Sequence, residues 1–200
     1  MADSAIRLFG EAAAVYIGGN VVSLIILSAL GGSKRPLAVN CSDLVLTIIW
    51  SVYIGWAYKR DSLESIWTWG KASSASKAAA AGLVVAFMLG RGSRLKDVFS
   101  SVQMVFRPSE SIRLDMCVLA PFREEILWRG FLLRRLSPLI GTWQAIAISS
   151  VAFGLLHTNP LSAMAMGMVL GWIYSPLGAG NLYVAMLFHA LVNLTSKVPF

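Results

Sequence analysis

Pro121-Phe122-Arg123-Glu124-Glu125-Ile126-Leu127-Trp128-Arg129-Gly130-Phe131 sets two adjacent carboxylates and an arginine inside a run, Leu114 to Leu133, that otherwise reads as membrane-buried helix. Ionisable groups at bilayer depth cost about 2.5–3.5 kcal/mol each on insertion scales, so they tend to pair and to mark functional sites. Glu125 and Arg129 stand four apart, in the order that favours an ion pair on one helix face. At about 3.6 residues per turn, Glu124 points roughly 100° away from Glu125, toward a different partner. Two carboxylates in a low dielectric resist ionising together, and the neighbouring guanidinium offsets this, leaving one glutamate suited to act as a general base.

The rest of the chain supports a membrane setting. Of 200 residues, 56% are apolar and 14% charged, against about 25% charged in a soluble domain. The mean hydropathy is +0.67. The length suits one compact bundle without a second domain. The net charge of +7 comes from Lys and Arg residues that punctuate hydrophobic runs, which fits flanks facing anionic lipid headgroups. No nucleic-acid-binding motif accompanies them, so nucleic acid is not an expected partner. Cys41 and Cys117 form no CxxC or zinc-like spacing and read as inert packing thiols. No cleavable signal peptide and no lipidation motif are evident, and the first apolar run is expected to stay as an anchor.

Seven spans are expected. Ala12 to Leu30 is the first, with Gly18, Gly19 and Ser23 allowing close helix contact in lipid. Leu44 to Tyr58 is the second, with Trp50, Trp56 and Tyr58 suited to interfacial positions. Ala78 to Leu89 is a short third. In Arg91 to Arg113, Leu95, Val98, Phe99, Val102 and Phe106 recur at helical spacing opposite Arg94, Lys96 and Asp97, the pattern of an amphipathic helix on the membrane surface. Leu114 to Leu133, Thr142 to His157, Leu161 to Tyr174 and Leu182 to Leu194 complete the set. Their short connections make sequential helices antiparallel neighbours. The expected fold is all-α: a polytopic transmembrane bundle of about seven helices plus the interfacial helix. It forms a single integral membrane domain over 1–200, in which N-terminal helices and the interfacial segment occupy 1–113 and a core occupies 114–197.

The chain has only two histidines. His157 lies four residues after Phe153, and His189 four before Asn193, so each pair shares a helix face. A lone histidine in an apolar helix is more often a hydrogen-bonded core residue. Here both stand in spans that carry a second plausible site residue. Phe153 by itself reads as packing and Asn193 by itself as helix glue. Together the groups supply a carboxylate base, a histidine to share a water and donors for an oxyanion. No serine or cysteine stands in a nucleophile motif, so water is the expected nucleophile. HExxH is absent.

Glu124-Glu125-x-x-x-Arg129, Phe153-x-x-x-His157 and His189-x-x-x-Asn193, in this order on successive hydrophobic segments, resemble the CPBP family of CAAX proteases and bacteriocin-processing enzymes, also called Abi, to which the type II CAAX prenyl endopeptidases belong. The resemblance covers about Leu114 to Lys197. It implies an intramembrane endopeptidase with a cavity reached from the membrane. Carried over, Glu124 and His157 activate the water, and His189 and Asn193 stabilise the oxyanion. Glu125 and Arg129 orient Glu124 and balance its charge. The resemblance implies a metal-free glutamate mechanism with no cofactor. The alternative is a zinc enzyme using Glu124, His157 and His189 as three ligands with one open position. The implied partners are membrane lipids and a peptide or membrane-protein substrate, prenylated or not, and the implied location is a bacterial inner membrane. Two other classes compete: a non-catalytic immunity or scaffold protein, which would need the fold but not Glu124, and a small transporter using the buried charges as a relay.

Overall fold

The computed structural model describes residues 2–30, 36–61, 77, 118–177 and 180–195. The expected third span and the interfacial helix lie outside the described residues, as do Cys117 and the first residues of the fourth span. The described elements are all helical, and no strand occurs among the described residues.

Helix α1 (Ala2–Ala29) and helix α2 (Pro36–Arg60) pack antiparallel. Their apolar stretches Asp3–Ala29 and Ala38–Arg60 run 27 and 23 residues. At 1.5 Å per residue that is about 35–40 Å, enough to cross a hydrocarbon core of roughly 30 Å. Ile17, Val21 and Leu24 on α1 and Leu44, Ile48 and Val52 on α2 are exposed at spacings of three and four. Apolar outward stripes of this kind fit lipid, where a soluble helix would turn polar residues out. Small residues close the inner seam. A Cβ on Gly19 would stand 2.3 Å from Trp50 Nε1, and the Ser23 and Ser42 hydroxyls share a hydrogen bond.

Helix α1 starts before the expected 12 and α2 runs beyond the expected 44–58 at both ends, and charged residues pair across the helices where α2 ends. Arg60 reaches Glu11 at 3.2 Å and Asp61 at 2.8 Å, and Arg135 bridges to Glu11 at 3.3 Å and also to Asp61. The hydrogen bond from Arg60, helped by the charge of Arg135, holds the Asp61 carboxyl below the usual carboxylate range. Trp56 is exposed, as an interfacial or lipid-facing residue should be. Trp50 and Tyr58 are buried instead, and the Tyr58 hydroxyl donates to the Gly130 carbonyl.

Helix α3 is the run 120–140. It begins as α-helix over Ala120–Glu125, widens to π-helix over Ile126–Leu133 and returns to α-helix over Arg134–Ile140. The Arg134 N–H donates to the carbonyl of Arg129, five residues back. Such widening is rare and is frequently found at functional sites. Gly141, with φ 92°, ends the run in a backbone region that favours glycine. Helix α4 (Thr142–Leu155) and helix α5 (Pro160–Trp172) form a tight hairpin. Asn159 caps α5 by accepting from the Ser162 N–H, with Pro160 opening the helix. A π-helical stretch, Ile173–Leu177, extends α5, and helix α6 (Leu182–Thr195) follows.

The apolar helices Thr142–Leu155, Pro160–Ser175 and Leu182–Asn193 fall short of the ~20 residues a full crossing takes. The described residues thus hold two helices long and apolar enough to span a membrane, fewer than the seven expected. Length is the reason: the apolar stretches of α4 to α6 each run only about four helical turns among the described residues. The middle of α3 forms the core, with Ile126, Leu127, Phe131, Leu132 and Leu133 inaccessible.

Candidate active site

Helical geometry places Glu125 and Arg129 on one face, and the π-helical turn between them keeps them stacked. Arg129 Nη1 donates to Glu125 Oε1 at 2.9 Å. Its other arm, Nη2, donates to the Gly167 carbonyl on α5 at 3.1 Å. The guanidinium carbon sits 4.9 Å from the centre of the Phe153 ring. Glu125 and Arg129 are both buried, as a paired charge in a low-dielectric interior must be.

Glu125 Oε1 also meets His189 Nδ1 at 2.8 Å, linking α3 to α6. With Arg129 beside the carboxylate, His189 Nδ1 is the donor. His157 lies in the turn after α4, not on the helix: α4 stops at Leu155, and the Leu156 and His157 N–H groups donate back to Phe153 and Gly154 in a tightened last turn. The His157 ring nevertheless folds back on Phe153. Its Nδ1 lies 2.7 Å from the Phe153 carbonyl. A carbonyl only accepts, so Nδ1 carries the proton and Nε2 is the nitrogen left to face Glu124.

Both Nε2 atoms point at Glu124. His157 Nε2 lies 3.8 Å and His189 Nε2 3.9 Å from Glu124 Oε2. These gaps exceed direct hydrogen-bond range and suit a bridging water. Phe153 is the wall behind both rings, 4.2 Å from His157 and 6.2 Å from His189 between centroids, with Trp128 edge-on at 5.8 Å. Asn193 follows His189 by one turn on α6 and is half-buried.

Glu124 and His157 open onto a cavity of about 240 Å³ walled by Tyr16 and Asn20 of α1, Leu46 and Trp50 of α2, and Arg123 and Trp128 of α3. Arg123 is tied to Asp43 of α2 at 2.6 Å. The expected residues of the three motifs therefore gather at one place, Glu124, Glu125, Arg129, Phe153, His157 and His189 in mutual contact or facing each other. Tyr16, Asn20, Trp50, Arg123 and the Gly167 carbonyl join them without having been expected. Of these, Arg123 alone has a signal in the sequence, as a further charge beside Glu124, Glu125 and Arg129.

The donor types suit zinc, and each histidine is backed at Nδ1 by a carbonyl or carboxylate, a common pattern behind metal ligands. The Nε2-to-Oε2 separations are wider than the roughly 3.3 Å edge of a tetrahedron built on zinc bonds of about 2.0–2.1 Å. Among the described residues no three His, Cys, Asp or Glu side chains form a metal-ligand group.

Residues 111–195 match the family model described as type II CAAX prenyl endopeptidase Rce1-like. No curated protein and no solved structure matches the chain.

Proposed function

We propose, from the match of residues 111–195 to the Rce1-like model of type II CAAX prenyl endopeptidases, that this chain is a membrane-embedded endopeptidase in which Glu124 activates a water. The observation that carries the reading is the convergence of two Nε2 atoms on Glu124 Oε2 at 3.8 and 3.9 Å beside a cavity. Glu124 Oε2 and His157 Nε2 are two acceptors around one space, and a water supplies a proton to each.

In the proposed reaction the water oxygen attacks the scissile carbonyl carbon as Glu124 takes one of its protons. His157 Nε2 accepts the second O–H and aims the lone pair. The carbonyl π electrons move to oxygen, and His189 and Asn193 donate to that oxyanion, help worth about 10²–10³ in rate per donor. In that role His189 carries protons on both nitrogens, with Glu125 as its counter-ion and Arg129 completing a charge-balanced set with Glu124. The C–N bond then breaks as Glu124 returns the proton to the leaving nitrogen. The products are a carboxyl terminus and an amine.

The substrate we favour is a prenylated CAAX-type peptide lying against α1 and α2, where Tyr16, Leu46 and Trp50 offer an apolar wall. We read α3 to α6 as membrane-embedded along with α1 and α2, in a bacterial inner membrane. The second reading, a zinc enzyme on Glu124, His157 and His189, is favoured by the Nδ1 backing of both rings. One experiment addresses both. In detergent, the full chain cleaves a farnesylated CAAX peptide, Glu124→Gln does not, and 1,10-phenanthroline leaves the wild-type rate unchanged. Cleavage by Glu124→Gln rejects the assignment. Loss with chelator that added zinc restores assigns the metal mechanism.

A further inference from the structure

A second cavity, of about 600 Å³, lies at the far end of α3 from Glu124. Its wall is Ser4, Arg7 and Leu8 of α1, Asp61 after α2, and Arg134, Arg135, Pro138 and Leu139 of α3. Arg134 stands ten positions beyond Glu124, roughly 15 Å along the helix. The two cavities share no wall residue.

Three guanidinium groups and the Asp61 carboxylate line the cavity, and the Glu11 carboxylate stands against Arg7 and Arg135, so cations still outnumber anions here. Arg135 is buried and held by Glu11 and Asp61. Arg134 sits 5.5 Å over the Tyr58 ring. Arg7 is 65% exposed at its side chain, and its pairing with Glu11 is a long 3.9 Å. The remaining walls, Leu8, Pro138 and Leu139, are apolar. The charged ends of α1, α2 and α3 meet at this level, which places it where two membrane-length helices leave the hydrocarbon. Arginine forks match phosphate oxygens, and an apolar wall beside them suits an acyl chain.

We infer that this cavity binds a phosphate group, supplied by the headgroup of an anionic phospholipid, with Arg7 and Arg134 as its ligands and Leu8 and Leu139 against the first acyl carbons. The site is independent of the peptidase reading.

Thermal unfolding of the full chain in dodecyl maltoside tests it, with dioleoyl phosphatidylglycerol, dioleoyl phosphatidylcholine or inorganic phosphate added at equal phosphorus. Phosphatidylglycerol is expected to raise Tm by on the order of 5 °C near saturation, and phosphatidylcholine and inorganic phosphate to leave it within about 1 °C. Arg7→Gln, at an exposed position that does not endanger folding, should weaken the half-saturating lipid concentration several-fold. Arg7→Gln with Arg134→Gln should abolish the shift, and Glu124→Gln should preserve it. An equal shift with phosphatidylcholine, or an undiminished one in both arginine variants, overturns the site. A full shift with inorganic phosphate overturns the lipid assignment in favour of the free anion.

Discussion

Arg129 lies buried with one arm on Glu125, the other on the Gly167 carbonyl, and its face near Phe153. A buried ion pair is worth little against an apolar replacement of both partners, but removing one partner strands the other charge. Arg129→Gln should therefore cost about 3–5 kcal/mol of stability, read by chemical unfolding in detergent. Arg129→Lys, which keeps the charge but loses the fork, should cost clearly less. Equal losses in the two variants would show that the charge is immaterial. The Glu125–Arg129 pair is legible from spacing alone, because i,i+4 fixes a helix face. The Gly167 carbonyl is not, since every residue carries a backbone acceptor and nothing in the side chain announces its use. By sequence Phe153 reads as packing. Its ring does pack, but its carbonyl also sets the His157 tautomer.

At the level of elements, the α4–α5 hairpin carries His157 in its turn and the Arg129 acceptor in its second helix. Close approach of the two helices rests on glycine. A Cβ on Gly167 would stand 2.9 Å from Ser150 Cβ and 3.0 Å from Ser150 Cα, so the helices would have to separate. Gly167→Ala is expected to lose about 1–3 kcal/mol and to lower peptidase activity by shifting the carbonyl that holds Arg129. Gly18→Ala, with no atom of the described residues within 4 Å of its added carbon, should lose nothing. Comparable unfolding midpoints for the two variants would refute the account of the hairpin. The ends of α4, α5 and α6 fall close to those expected, because Gly141, Asn159-Pro160 and Asn181 are strong punctuation. The π-helical widening of α3 has no comparable sequence signal. Nor does the reach of α1 and α2 beyond their apolar runs, where charges of three separate helices meet.

Across the molecule, the site joins the segment that matches the family model to the two long helices that precede it. Motif spacing brings out the Glu124 and His157 side of the cavity, and the α1–α2 side stays hidden because Tyr16, Asn20 and Trp50 look like ordinary residues of an apolar helix. Those helices also supply the membrane setting, with apolar stripes outward and small residues inward. What makes the whole a peptidase in this account is that Glu124 and His157, from different helical segments, serve one water. Groups that act on one water fail together, so their losses do not multiply. The decisive measurement is kcat/KM for farnesylated CAAX peptide, in liposome-reconstituted protein, for Glu124→Gln, His157→Ala and the double variant. Each single change should lower it by about 10²–10⁴, and the double should be no worse than the weaker single. Losses that multiply, or a Glu124→Gln enzyme keeping more than about a tenth of the activity, would contradict a shared water.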